Sequence, residues 1–257
     1  MGVARLLDPR PASDLRYAPS NRRVRARLGD VDVVDSEDAL FVWEPGRPVP
    51  LYAFPREAFR EGTLAPVDAP RERAHAVQEA FTVRGGDRMA EAAAWTYDDP
   101  DLADRVVLEW GMMDAWFEED QEVFVHPRDP FHRVDVRASS REVRIEIDGS
   151  LLAESRQPLM LFETGLPTRF YLPREDVKVD LIGPTDTRTR CPYKGEAVHW
   201  SVNADGVTHD DIAWTYLDPI RDVEPIRDLV AFYDERVDVS IEGEPQDRPQ
   251  TPWSRRG

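Results

Sequence analysis

Arg141-Glu142-Val143-Arg144-Ile145-Glu146-Ile147-Asp148-Gly149-Ser150-Leu151-Leu152-Ala153-Glu154-Ser155 reads as a single β-hairpin. Charged and apolar residues alternate strictly over 141–147, the period of a strand with one buried face. Asp148-Gly149 is a two-residue turn whose positions tolerate positive φ, and 150–155 is the returning strand. The same device occurs upstream at an offset of 119 residues, Val24 to Val143. Val24, Ala26 and Leu28 stand for Val143, Ile145 and Ile147, and Gly29-Asp30 separates strands over 22–28 and 31–36.

Further blocks share the offset. Trp95-Thr96-Tyr97-Asp98-Asp99-Pro100 matches Trp214-Thr215-Tyr216-Leu217-Asp218-Pro219, and Glu44, Gly46 and Pro48 match Glu163, Gly165 and Pro167. Pro55-Arg56-Glu57 matches Pro173-Arg174-Glu175 with a slip of one residue. Near the ends, Ala115-Trp116-Phe117 is set against Ala231-Phe232-Tyr233. Blocks repeated in order at this distance mean two homologous domains, not a solenoid. The expected organisation is a loose tail over 1–21, a first unit over 22–126, a linker over 127–138, a second unit over 139–241 and a C-terminal tail over 242–257. Strands are expected at 159–163, at 168–172 before Pro173, and at 197–202 and 211–216 around Ala204-Asp205-Gly206. Helices are expected over 225–233, opened by Pro225, and over about 101–117. The fold class is mainly β with short helices: two tandem, compact β domains.

Of 257 residues, 33 are Lys or Arg and 50 Asp or Glu, a net charge of −17. That balance disfavours a nucleic-acid partner, because neutralising phosphates needs a basic face. No apolar run approaches the ~18 residues of a membrane helix, so no membrane partner is expected. The first residues lack a signal-peptide core, which points to the cytoplasm. Cys191 is the single cysteine and the five His show no metal spacing, so neither an intrachain disulfide nor a metal is expected. No fingerprint of a cofactor site occurs and no cofactor is expected. A homo-oligomer is compatible with the sequence.

The chemistry concentrates in Thr187-Arg188-Thr189-Arg190-Cys191-Pro192-Tyr193-Lys194-Gly195-Glu196. It holds the one thiol and one of only two lysines, Lys178 and Lys194. Cations beside a thiol favour the thiolate, and Pro and Gly favour a tight turn. One reading is a small-molecule site for an anion: Arg188, Arg190 and Lys194 neutralise it, Tyr171, Tyr193 and Trp200 wall it, and His199 and Tyr216 lie within reach. Cys191, Lys194 and Glu196 are then the candidate catalytic residues, should turnover occur. A second reading is a structural or protein-interaction protein in which Cys191 is buried. A third is a thiol-dependent enzyme with Cys191 as nucleophile and His199 or Glu196 as base. The first unit has Arg71-Glu72-Arg73-Ala74-His75-Ala76-Val77-Gln78-Glu79 where the motif should be, so one site per chain is expected, with Arg73 and His75 outside it.

The second unit resembles the family known as domain of unknown function 427. The likeness is carried by Pro158–Glu163, Pro167–Val177, the Thr189-Arg190-Cys191-Pro192-Tyr193-Lys194-Gly195-Glu196-Ala197 core, Ala213–Tyr216 with Asp218-Pro219, and Val230–Val237. The resemblance implies a compact, mostly antiparallel β fold of the β-tent kind and no assigned activity. His199 departs from it, standing where an aromatic such as Tyr is expected. A nucleotidyltransferase label attached to the family finds no support in the residues. Gly149-Ser150 is not followed by an Asp-x-Asp pair, Asp30-Val31-Asp32 has no Gly-Ser before it, and there is no Walker loop.

Overall fold

The computed structural model describes residues 14–68, 77–178, 180–251 and 253–254. The chain divides into two compact units, 1–129 and 130–257. The first contains β1 (Arg16–Pro19), β2 (Val24–Leu28), β3 (Val31–Ser36), β4 (Leu40–Trp43), β5 (Leu51–Pro55), β6 (Leu64–Val67), β7 (Val77–Gly85), β8 (Arg88–Tyr97), β9 (Arg105–Leu108), β10 (Ala115–Glu118) and β11 (Gln121–Val123). The second contains β12 (Val134–Ala138), β13 (Val143–Ile147), β14 (Ser150–Ser155), β15 (Leu159–Glu163), β16 (Arg169–Tyr171), β17 (Leu181–Ile182), β18 (Arg188–Cys191), β19 (Gly195–Ala204), β20 (Val207–Tyr216), β21 (Ala231–Phe232), β22 (Asp238–Ile241) and β23 (Glu244–Pro245).

Each unit has a larger and a smaller antiparallel sheet, and none of the sheets closes into a barrel. In the first, the larger sheet runs β1-β4-β5-β9-β8-β7-β6 and the smaller β11-β10-β2-β3. In the second, β12-β15-β16 and β21-β20-β19-β17 follow the same order, joined where Leu172 and Val230 exchange backbone hydrogen bonds of 2.8 and 2.9 Å. Its smaller sheet runs β14-β13-β22-β23, and β18 is an extra strand on β19. The duplication extends to detail. The β2–β3 register slips after Ala26 and the β13–β14 register after Ile145, residues at the repeat offset. Trp95 faces Val107 across β8–β9 as Trp214 faces Ala231 across β20–β21.

Val143, Ile145 and Ile147 are buried in the core between the sheets with Phe170, Val198, Trp200 and Phe232. Arg144 points outward and pairs with Glu146 and Glu154 at 2.8 and 2.7 Å. The opposite face of the larger sheet carries Tyr171, Ala197, Trp214 and Tyr216, packed with Val223 and Ile226.

Several expectations are corrected. Neither helix forms. Over 225–233 the chain makes a 3-10 turn, Arg221–Ile226, and then β21, with Asp228 at φ +61° between them. Leu229, Ala231 and Tyr233 pack on the outer face while Val230 and Phe232 enter the inter-sheet core, so the period is two. Over 101–117 the same holds: Val106 and Leu108 join one core and Val107 the other, within β9. The first tail and the linker each contain a strand, because β1 and β12 complete the hydrogen bonding of β4 and β15. The C-terminal tail begins with β23, paired to β22. Ala115-Trp116-Phe117 is the counterpart of 238–240, since Trp116 faces Ala26 and Val239 faces Ile145. Ala231-Phe232 corresponds instead to Val107-Leu108.

Candidate functional site

The Cys-Pro-Tyr-Lys-Gly segment is the turn of the β18–β19 hairpin. Cys191 pairs with Gly195, and the Lys194 N–H donates to the Cys191 carbonyl at 3.3 Å. Gly195 has φ +106°, and a Cβ there would meet the Asp218 carbonyl at 3.2 Å, so the turn requires glycine. Side chains of paired antiparallel residues share a face and alternate along each strand. Thr189 and Cys191 therefore lie on the face of Ala197 and His199, while Arg188, Arg190 and Glu196 lie on the other. The hydrogen bonds agree: Thr189 Oγ1 meets His199 Nε2 at 2.9 Å, and Arg190 Nε donates to Glu196 at 2.8 Å. The arginines that flank the thiol in sequence do not share its face.

Lys194 donates through Nζ to Glu163, whose side chain is only 6% exposed. His132 Nε2 meets the other Glu163 oxygen at 2.9 Å, and the His132 ring stacks on Tyr193 at 4.2 Å. Burial pushes the Glu163 carboxyl upward, but His132 and Lys194 outweigh it and hold the group below the usual range. Tyr171 is fully buried, and its hydroxyl accepts from Trp214 Nε1 at 3.2 Å. Burial, with Glu163 and Cys191 adding to it, raises the Tyr171 and Tyr216 phenols. Burial also lowers His199 below the usual histidine range, and its Nδ1 has no hydrogen-bond partner among the described residues.

The structure thus gathers Tyr171, Cys191, Tyr193, Lys194 and Tyr216 with Glu163 and His132, and sets His199 on the same sheet face. It does not bring in the rest. Arg190 and Glu196 form an exposed pair, and Arg188 donates to the Thr185 and Thr187 carbonyls. Trp200 lies in the inter-sheet core, bonded to Thr215 at 3.0 Å beneath the Arg174 guanidinium.

A cleft of about 280 Å³ opens elsewhere in the second unit, between β16 and β22. Phe170, Val237, Val239 and Ile241 form its apolar wall, with Arg141, Asp234 and the segment 246–249 completing it. Asp234 is 6% exposed. Its neighbour Arg169, also buried, donates to both oxygens of Glu235 and lies 3.4 Å from Asp234. Two buried carboxylates share one guanidinium. Burial pushes Glu235 upward, but hydrogen bonds from Arg169 and Thr251 outweigh it and hold that group below its usual range. Asp234 is pushed up to about 7, chiefly by burial. Among the described residues no group of three or more His, Cys, Asp or Glu could hold a metal ion. No helix of the described residues is long and apolar enough to cross a membrane.

Residues 16–119 and 135–243 each match a domain of unknown function, DUF427. The chain belongs to the DUF427 family. It carries the domain twice, and each match begins at the edge strand, β1 or β12, that sequence periodicity missed. No curated protein matches the chain.

The two DUF427 copies differ at the cleft. Tyr52 takes the position of Phe170, facing Phe41 as Phe170 faces Met160, and Trp116 takes that of Val239. Trp110 stands two residues after Leu108, as Asp234 stands two after its counterpart Phe232. Trp110 stacks on Trp116 at 4.6 Å and 5°, with Tyr52 5.9 Å from Trp116. Two tryptophans packed beside Tyr52 occupy the first copy where the second, keeping a ring at Phe170, has Asp234, Val239 and a cleft. On the outer face, Leu51, Ala53 and Ala80 stand at the positions of Arg169, Tyr171 and His199. Glu44 is kept and accepts from Tyr97 at 2.8 Å. Of the stretch that stands for the motif in the first unit, 71–76, with Arg73 and His75, lie outside the described residues, and 77–79 open β7.

His132, Arg169 and Asp234 were not expected. His132 falls in the stretch expected as a linker, and Asp234 and Glu235 follow directly on the segment 225–233 expected as a helix. A period of two over 229–233 is the one signal that places Asp234 beside a strand.

Proposed function

We propose that this DUF427 chain binds one small organic molecule, in the cleft of its second unit. The observation that carries the reading is the exchange of Tyr52, Trp110 and Trp116 for Phe170, Asp234 and Val239 on one framework. A concave site that joins an apolar wall to a few polar groups is the usual form of a ligand pocket, and this cleft exposes apolar and polar surface in about equal parts. The free thiol at Cys191 is in keeping with a cytoplasmic setting.

An anionic ligand at the motif loop has less behind it. Lys194 and Arg190 are each held by a carboxylate, and Arg188 by carbonyls. A thiol enzyme needs a base within hydrogen-bond reach of Cys191. Glu196 is on the opposite face, and His199 Nε2 is engaged by Thr189. The Cys-Pro-Tyr-Lys-Gly turn and Glu163 serve this reading as the support that fixes β19 and β15.

Amide NMR of the full chain, titrated with a library of small organic fragments, tests the proposal. The expected result is saturable shifts at 167–170, 234–241 and 246–249. Shifts confined to 188–200, or none in the cleft with any fragment, would overturn it.

A further inference from the structure

We infer that the cleft takes an organic ammonium ion, a primary amine on a small apolar body. The inference rests on the cleft being a ligand site and adds the chemical class. The charged residues that line the cleft are Asp234, Arg141 and Asp247, and Arg169 and Glu235 lie behind Asp234, outside the lining. Arg141 and Asp247 are exposed and of opposite sign. The buried set is Arg169 against Glu235 and Asp234, which carries one surplus negative charge when both acids are ionised. Arg169 is already spent on Glu235, bonding both of its oxygens.

With Asp234 protonated the buried set is neutral, and a cation placed there takes over the charge of the proton it displaces. An anion would add negative charge to the set, and a neutral group would leave the proton on Asp234. Phe170, Val239 and Ile241 supply the surface for the apolar body, with Val237 fully buried behind them. The volume, about 280 Å³, lies at the small end of ligand sites, so the body is the size of one ring with a short arm.

The charge balance has a measurable consequence. Without ligand, Asp234 holds a proton up to about pH 7. Binding converts the acid to a carboxylate that accepts hydrogen bonds from the ammonium group, and one proton leaves to solvent. No bond other than that O–H is broken.

Three probes of one shape separate the classes: 2-phenylethylamine, 2-phenylethanol and phenylacetate, titrated by calorimetry into the full chain. At pH 6, buffers of different ionisation enthalpy report protons released. The amine should bind at least about tenfold more tightly than the alcohol and release close to one proton. Release should fade above pH 8. Asp234→Asn should abolish both the preference and the proton release while the chain keeps its native circular dichroism. Val239→Trp, which fills the cleft from the opposite wall, should remove binding of the amine without touching the acid. Equal or tighter binding of the alcohol or phenylacetate, or amine binding without proton release, overturns the ammonium class and leaves the cleft as a ligand site. Binding of none of the three overturns the inference as well. If the fragment library also leaves the cleft unperturbed, the proposed function falls with it.

Discussion

Burial lifts the Asp234 carboxyl to about 7 from an ordinary value of 3.8, so the folded chain keeps a proton that the unfolded chain has lost. The stability this proton carries is full below pH 3.8 and is lost as pH rises through about 7. Asp234→Asn removes the penalty of ionisation. Urea denaturation should therefore find the variant's advantage over the parent about 2–3 kcal/mol larger at pH 8 than at pH 5, and gone only below about pH 3.8. An equal gain at both values would contradict the assignment. Lys194 and Arg190 flank the same turn but differ in setting. Lys194→Ala strands a buried Glu163 and should cost about 2–4 kcal/mol at pH 7. Arg190→Ala breaks an exposed pair and should cost roughly 0–1 kcal/mol. Because Glu163 is held below its usual range, the Lys194 contribution is present above that range and fades as pH falls through the folded value. Similar losses for the two variants would show that the turn lacks this division.

At the scale of the element, hairpins were legible because alternation and turn chemistry agree. Val143, Ile145 and Ile147 alternate inward, and Asp148 and Gly149 take the positive φ that their turn needs. Helices were misread where one apolar pattern satisfies two periods. Ile226, Leu229, Val230 and Tyr233 fit a helical face, yet each sheet face takes alternate residues from 229 to 233. The side chains of the motif loop divide between two faces for a related reason. Neighbours in sequence were grouped as neighbours in space, but a strand sends Arg190 and Cys191 to opposite faces. The cleft itself was not legible, since its wall joins 167–170 to 234–241 through pairings that no local pattern announces. Its first-unit counterpart supplies a direct test of packing. Trp116→Val should remove the ring that stacks on Trp110 and packs against Tyr52 and cost about 3–5 kcal/mol in urea denaturation, whereas Val239→Trp should leave a folded chain. A small loss from Trp116→Val would mean that the rings do not fill that space.

For the whole molecule, the duplication accounts for both what is shared and what is not. Strand order, register slips and the Trp95–Trp214 equivalence are common to the two units. The first unit closes its inter-sheet space with aromatic rings; the second keeps a cleft above an ion cluster. This asymmetry predicts one ligand per chain. It was visible in the sequence only as the loss of the Cys motif from 71–79, and the exchange of Trp116 for Val239 was hidden by the misaligned last block of the repeat. The most direct measurement is a difference electron-density map from crystals of the full chain soaked with 2-phenylethylamine. The account predicts one molecule per chain, its ring against Phe170 and Val239 and its nitrogen within hydrogen-bond distance of Asp234. Density beside Tyr52 and Trp116 as well, or density at the 188–196 turn with the cleft bare, would contradict it.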